Sequence, residues 1–187
     1  MLFETIKVED GKVFNLEWHN LRLNKSRKEL FSSLSTIDLK DFISPPPTGL
    51  YRCKIIYNHK IQSVEYFPYQ AKTFQNFQVI KSQLDYKHKY TNRLAIQELL
   101  EKHDEIIIEK DGLLTDTSIA NIAFFDGETW FTPTTPLLEG TTRARLLDEG
   151  FLKLKNIKKE NIKNYSHFAL MNAMIGFRIQ KSILIQT

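Results

Sequence analysis

Tyr86-Lys87-His88-Lys89-Tyr90-Thr91-Asn92-Arg93 is the stretch on which the reading of this chain turns. Lys89 stands among cationic and aromatic neighbours, just ahead of Ala95, Ile96, Leu99 and Leu100, whose spacing predicts a helix over residues 90–103. Nearby positive charge and lost hydration both disfavour an ammonium, so a lysine in such a place can act as a neutral nucleophile. The same residues also fit a solvated basic patch, and the segment by itself leaves both readings open.

Three other segments carry chemistry. Gly112-Leu113-Leu114-Thr115-Asp116-Thr117-Ser118-Ile119-Ala120-Asn121 joins two predicted strands through small polar residues and one carboxylate. Asp116 can pair with a protonated ring nitrogen, or Asp116, Thr117 and Ser118 can bond the backbone of a surface turn. Leu138-Glu139-Gly140-Thr141-Thr142-Arg143 opens a helix predicted to end at Gly150. Free N–H groups and a hydroxyl at its positive end suit an anion or phosphate, and equally an ordinary threonine cap. The spacing is that of neither a P-loop nor a dinucleotide fingerprint. Upstream, a helix capped by Asn15 and running to about Phe31 brings His19, Arg22 and Ser26 onto one face. Arginine is the fork-shaped partner of phosphate, and also a common surface charge.

The remaining chain reads mostly as strands. Residues 3–8 and 12–14 flank an Asp10-Gly11 turn, residues 50–57 and 61–67 form a hairpin, and residues 74–80 make a further strand. Residues 105–108 are a buried strand, residues 122–125 and 129–132 a hairpin through Asp126-Gly127, and residues 168–171 a last core strand. Strands dominate without a regular βαβ repeat, so the fold class is α+β. A small N-terminal α/β domain is expected over residues 1–73 and a larger C-terminal domain, carrying Lys89, over residues 74–187.

With 187 residues, 42% of them hydrophobic, the chain can bury a sizeable core. The net charge of +4 comes from scattered Lys and Arg. There is no zinc-finger spacing, basic heptad or RNA-stacking aromatic pattern, so no nucleic-acid partner is expected, and the scattered charge fits a solvated surface or, alternatively, attraction of small anions. Five histidines and one cysteine show no metal-ligand spacing, so no metal is expected. A G-x-S-x-G elbow is missing too. Cys53 has no partner for an intrachain disulfide, which suits a reducing compartment. No stretch approaches the roughly 20 apolar residues that span a bilayer, and the first residues do not read as a secretory signal. No membrane partner is expected, and the expected location is the cytoplasm.

Together and in this order, these segments resemble the fold-type IV pyridoxal-phosphate (PLP) enzymes. This is the class IV aminotransferase family, with D-amino-acid and branched-chain aminotransferases and 4-amino-4-deoxychorismate lyase among its members. Phe3-Glu4-Thr5-Ile6-Lys7-Val8 resembles the opening strand, and His19-x-x-Arg22-Leu23 the helix whose arginine binds phosphate. Lys89-x-x-Asn92-Arg93-Leu94 resembles the segment with the Schiff-base lysine, and Thr115-Asp116 through Asn121-Ile122 the T-E-x-x-x-x-N stretch. Thr132-Pro133, Gly140-Thr141-Thr142-Arg143 and Asn172-Ala173 follow in order.

The resemblance implies a two-domain fold with PLP at the domain interface, and a homodimer. It implies Lys89 as the Schiff-base lysine and catalytic base, with Lys87 the runner-up. Arg22, Thr141, Thr142, Asn172 and Ala173 would surround the phosphate. Asp116, with Asn121, would face the ring nitrogen, and Thr5, Lys7 and Arg143 would meet a small amino substrate bearing a carboxylate. Three departures stand out: aspartate replaces the usual glutamate, both ends are shorter than the family's, and the connection before Phe74 is short. A truncated member is implied, its cofactor pocket retained and its substrate pocket reduced. Phe3-Glu4-Thr5, Lys89-x-x-Asn92-Arg93 and Met171-Asn172-Ala173-Met174 look closest to the lyase, which eliminates pyruvate to leave 4-aminobenzoate, a folate precursor. D-amino-acid or branched-chain transamination, and cofactor binding without turnover, remain open.

Overall fold

The structure, a computed structural model, describes residues 1–181 and 183–187. The chain groups into two compact units, Met1–Ala71 with His88–Asn92, and Lys72–Lys87 with Arg93–Thr187. Lys89 therefore belongs to the first unit, whereas the sequence reading assigns it to a domain over residues 74–187. The reason is backbone pairing. Phe3 N–H donates to Lys89 O at 2.9 Å, Thr91 N–H donates to Met1 O at 3.1 Å, and Leu2 bridges Tyr90 in antiparallel fashion.

In the first unit, β1 (Leu2–Glu9), β2 (Lys12–Val13), β3 (Leu50–Tyr57) and β4 (Ile61–Pro68) form an antiparallel sheet in the order β2-β1-β3-β4. Alternation along β1 buries Leu2, Glu4, Ile6 and Val8 on one face and sends Thr5 and Lys7 to the other. Helix α1 (Leu16–Phe31) contributes Leu23 to the core that Leu2, Ile6, Val8, Cys53, Ile55 and Tyr57 build. Asn15 precedes α1 as expected, but its backbone is left-handed (φ 53°) and its side chain makes no capping bond. Asparagine tolerates that conformation better than most residues.

The second unit holds β5 (Asn76–Lys81), α2 (Leu94–Leu100), β6 (Glu105–Lys110), β7 (Leu113–Thr117), β8 (Asn121–Phe125) and β9 (Trp130–Pro133). After these come α3 (Thr141–Asp148), β10 (Leu152–Lys155), β11 (His167–Asn172), β12 (Gly176–Gln180) and β13 (Leu184–Gln186). Among the described residues the strand order is β10-β9-β8-β7-β6-β5-β13, with β11 joined to β8 and β12 to β11. Pairs β5–β6, β5–β13 and β9–β10 are parallel. Ile106, Ile107 and Ile108 are all fully buried, which explains an apolar run without alternation. Phe77, Ile107, Leu114, Ile122, Phe124, Phe168 and Leu170 share one core, with the Phe77 and Phe168 rings edge-on at 5.2 Å.

Two expectations change. The helix expected over residues 90–103 shortens to α2, because the backbone at Lys89, Tyr90 and Thr91 bonds to the first residues of the chain instead. Residues 168–171 do form β11, but β12 and β13 follow it. The end of α3 matches its reading: Gly150 has φ +71°, its N–H reaches Leu147 O, and Phe151 N–H reaches Leu146 O, both at 3.0 Å. That double bond pattern is the Schellman motif, in which a left-handed glycine ends the helix. No described helix is long and apolar enough to cross a membrane.

Leu23 is fully buried between α1 and the sheet. Leu23→Ala is expected to lower stability by about 2–5 kcal/mol, read as a lower urea midpoint with an unchanged slope.

Candidate active site

Glu4 interrupts the apolar face of β1 and organises the polar centre of the first unit. Its Oε2 accepts from His19 Nδ1 at 2.6 Å and from Arg22 Nη2 at 2.5 Å, and its Oε1 accepts from Arg22 Nε at 2.9 Å. Glu4 and His19 are fully buried, and the Arg22 side chain is 13% exposed, so Arg22 is no mere surface charge. Burial alone raises the Glu4 pKa, but the Arg22 charge and the bonds from His19 and Arg22 outweigh it and hold the carboxyl at about 2. An ionised carboxylate only accepts, so His19 carries a proton on Nδ1. Its Nε2 is buried without a hydrogen-bond partner among the described residues. Burial pushes the His19 pKa down against the pull of Glu4, with the charges of Arg22 and Lys89 adding to the push.

Lys89 is half-buried, its ammonium 4.6 Å from the centroid of the Phe3 ring. Lys87 is exposed and belongs to the second unit. Thr5 and Lys7 lie on the face of β1 opposite Glu4, and Lys7 Nζ sits 2.6 Å from Glu9 and 4.6 Å from the Phe14 ring. Sequence reasoning passed over Glu4 as a functional residue. The signal was there: a carboxylate in the inward register of Leu2-x-Glu4-x-Ile6-x-Val8 must find cationic or donor partners.

In the second unit Asp116 is buried on β7. Its Oδ1 accepts from Asn121 Nδ2 at 2.7 Å and its Oδ2 from Leu138 N–H at 2.8 Å. Asn121 also donates to Leu138 O at 2.8 Å, so it ties the 138 loop around the carboxylate. Burial raises the Asp116 pKa to about 6, opposed by these bonds and by the Arg143 guanidinium. A carboxylate offers about four acceptor positions, which leaves room for a protonated ring nitrogen, and a cation there favours the ionised form. Arg143 is itself buried and donates to Pro133 O at 2.8 Å. Its charge acts on Asp116 from there. The Thr117–Ser118 turn is buried as well. Ser118 Oγ donates to Glu105 at 2.9 Å, and Arg93 Nη2 donates to Ser118 O at 2.5 Å.

Helix α3 starts at Gly140, which has no side chain to cap the first-turn N–H groups. Thr141 and Thr142 are buried, and Thr142 Oγ1 has no hydrogen-bond partner among the described residues. A buried hydroxyl without a partner beside free helix N–H groups fits an anion. A Cβ on Gly140 would stand 1.9 Å from Asn121 Oδ1, so glycine is what lets the helix start approach the Asp116–Asn121 pair. Asn172 is used locally. Its Oδ1 accepts from Met174 N–H at 2.9 Å and Ile175 N–H at 3.0 Å, and its Nδ2 donates to Ile119 O at 3.3 Å. Its side chain thus braces the β11–β12 turn that contains Ala173.

The sequence pattern of the class IV aminotransferases matches residues 50–183. The chain belongs to the class IV aminotransferase family. It is a PLP-dependent lyase or aminotransferase with the fold-type IV architecture. It is 39% identical over 184 residues to an uncharacterized protein of Haemophilus influenzae, covering 94% of this chain and 98% of that one. A crystal structure of a candidate 4-amino-4-deoxychorismate lyase from Haemophilus somnus 129PT matches with a TM-score of 0.86 and 37% identity, over 94% of this chain and 96% of that one. A candidate aminodeoxychorismate lyase of Schizosaccharomyces pombe is 26% identical, over 98% of this chain and 89% of that protein.

Gly140→Ala is expected to displace Asn121 and destabilise the protein by about 1–3 kcal/mol, measured by thermal and urea unfolding. Asp116 has its pKa raised from 3.8 to about 6. The unfolded chain releases this proton first, so stability falls as pH rises between those values and levels off above them. Asp116→Asn is expected to remove a loss on the order of 3 kcal/mol between the two plateaus, seen as a flatter stability profile of the cofactor-free protein. Glu4 acts in the opposite sense: its stabilisation is present above its ordinary 4.5 and fades as pH falls towards about 2.

Proposed function

We propose that this enzyme is a 4-amino-4-deoxychorismate lyase, eliminating pyruvate from a small carboxylated amino substrate and leaving 4-aminobenzoate for folate synthesis. The observation that carries the reading is its near end-to-end similarity to the H. somnus candidate lyase. The Lys89-x-x-Asn92-Arg93 segment supports it.

Lys89 is the amine that carries PLP covalently. Its Nζ would also be the base that takes and returns the proton at the amine-bearing carbon of the substrate. The bound cofactor supplies a conjugated ring that accepts the charge left on that carbon. Asp116, its carboxylate fixed by Asn121, would hold a proton on the cofactor's ring nitrogen. Arg22, the first-turn N–H groups and hydroxyls of Thr141 and Thr142, and the backbone at Asn172 and Ala173 would be the groups that hold the phosphate. Support comes from the fork of Arg22, held by Glu4, and from the unpartnered Thr142 Oγ1. Thr5 and Lys7 share the β1 face that carries Phe3, beneath the Lys89 ammonium, and so receive the substrate carboxylate. The working form is a cytoplasmic homodimer.

The PLP-loaded enzyme is expected to release pyruvate from aminodeoxychorismate with no oxo-acid acceptor present. Lys89→Ala should abolish the borohydride-reduced protein–cofactor adduct and cut the rate by about 10³-fold or more. Conversion of PLP to its amine form by D- or branched-chain amino acids, with no pyruvate released from aminodeoxychorismate, would assign transamination instead.

A further inference from the structure

We propose that His88 is a positioning residue for Lys89: gripped by α1, its ring anchors the tight turn from which the lysine projects. The inference rests on Lys89 as the cofactor-bearing residue.

His88 is 8% exposed, unusual for a histidine beside two lysines on a short connecting segment. Its Nδ1 lies 3.3 Å from Ser26 Oγ and its Nε2 3.4 Å from Glu29 Oε2. Ser26 and Glu29 are one turn apart on α1, so one helix face holds both ring nitrogens. The Tyr90 ring stands edge-on to His88 at 5.9 Å and packs against the core between β1 and α1. Tyr90 N–H donates to His88 O at 2.8 Å, which closes a three-residue turn with Lys89 at its centre. His88 is thus held by α1 and Tyr90 by the core, while the Lys89 ammonium lies over the Phe3 ring.

The segment joins β1 through the bonds at Lys89 O and Thr91 N–H and the bridge at Tyr90, and the chain belongs to the second unit on both sides, at Lys87 and Arg93. The buried imidazole, met at both ring nitrogens by α1, fixes where the turn around Lys89 sits.

The test compares PLP, whose tight binding needs Lys89, with pyridoxamine phosphate, which has the same ring and phosphate but no aldehyde. His88→Ala is expected to weaken PLP binding about tenfold, as the loss of one or two hydrogen bonds predicts. It should also lower the fraction of cofactor trapped on Lys89 by borohydride, while leaving pyridoxamine phosphate affinity within about twofold. His88→Asn keeps an amide atom near the Nδ1 position and should recover part of the loss. If His88→Ala does not fold, Glu29→Ala, at an exposed position of α1, is read in the same way, with about a threefold loss expected. Equal weakening of both ligands, or unchanged PLP binding, overturns the inference. A wild-type enzyme that traps no cofactor on Lys89 overturns the functional reading, and this one with it. A wild type and a His88→Ala variant that trap it equally overturn this inference alone.

Discussion

A single buried carboxylate sets the terms for the first unit. Glu4 faces the core from β1, where an ionised group has to be matched by partners that cannot drift. His19 and Arg22, three residues apart on α1, supply them. The match pins the helix to the strand at two points, determines which imidazole nitrogen carries the proton, and clamps one edge of the Arg22 fork. Buried ion pairs add little net stability over well-packed apolar side chains. The value of this one is geometric: it holds a guanidinium in one orientation against β1.

Asp116 shows the opposite solution to a similar problem. Both carboxylates are buried, yet Glu4 is held at about 2 and Asp116 is pushed up to about 6. The difference lies in the partners. Glu4 has a guanidinium in direct contact, while Asp116 is wrapped chiefly by an amide and backbone N–H groups, with Arg143 acting only through its charge. A carboxyl left in that state gains from any cation brought to it, as functional sites often arrange. The aspartate in place of glutamate is accommodated by the chain itself: the 138 loop folds onto the carboxylate, and Gly140 leaves Asn121 the space to hold it.

The sequence by itself determined the element types, the α+β class and the family. Period-two alternation in β1, the apolar run of β6 and the glycine ending α3 are each local consequences of backbone geometry, and local rules read them correctly. The motif residues were legible for the same reason: each lies in a short contiguous stretch whose order survives without coordinates. Only the tertiary structure decided where the lysine segment goes, because the pairing that claims it reaches back to the first residues of the chain and overrides a helical pattern begun at Tyr90. It alone showed that Glu4, not just His19 and Arg22, belongs to the polar centre, and that Arg143 points inward to Asp116 and Pro133. These are contacts between residues far apart in the chain, set by which faces are buried together, and no spacing along a single segment encodes them.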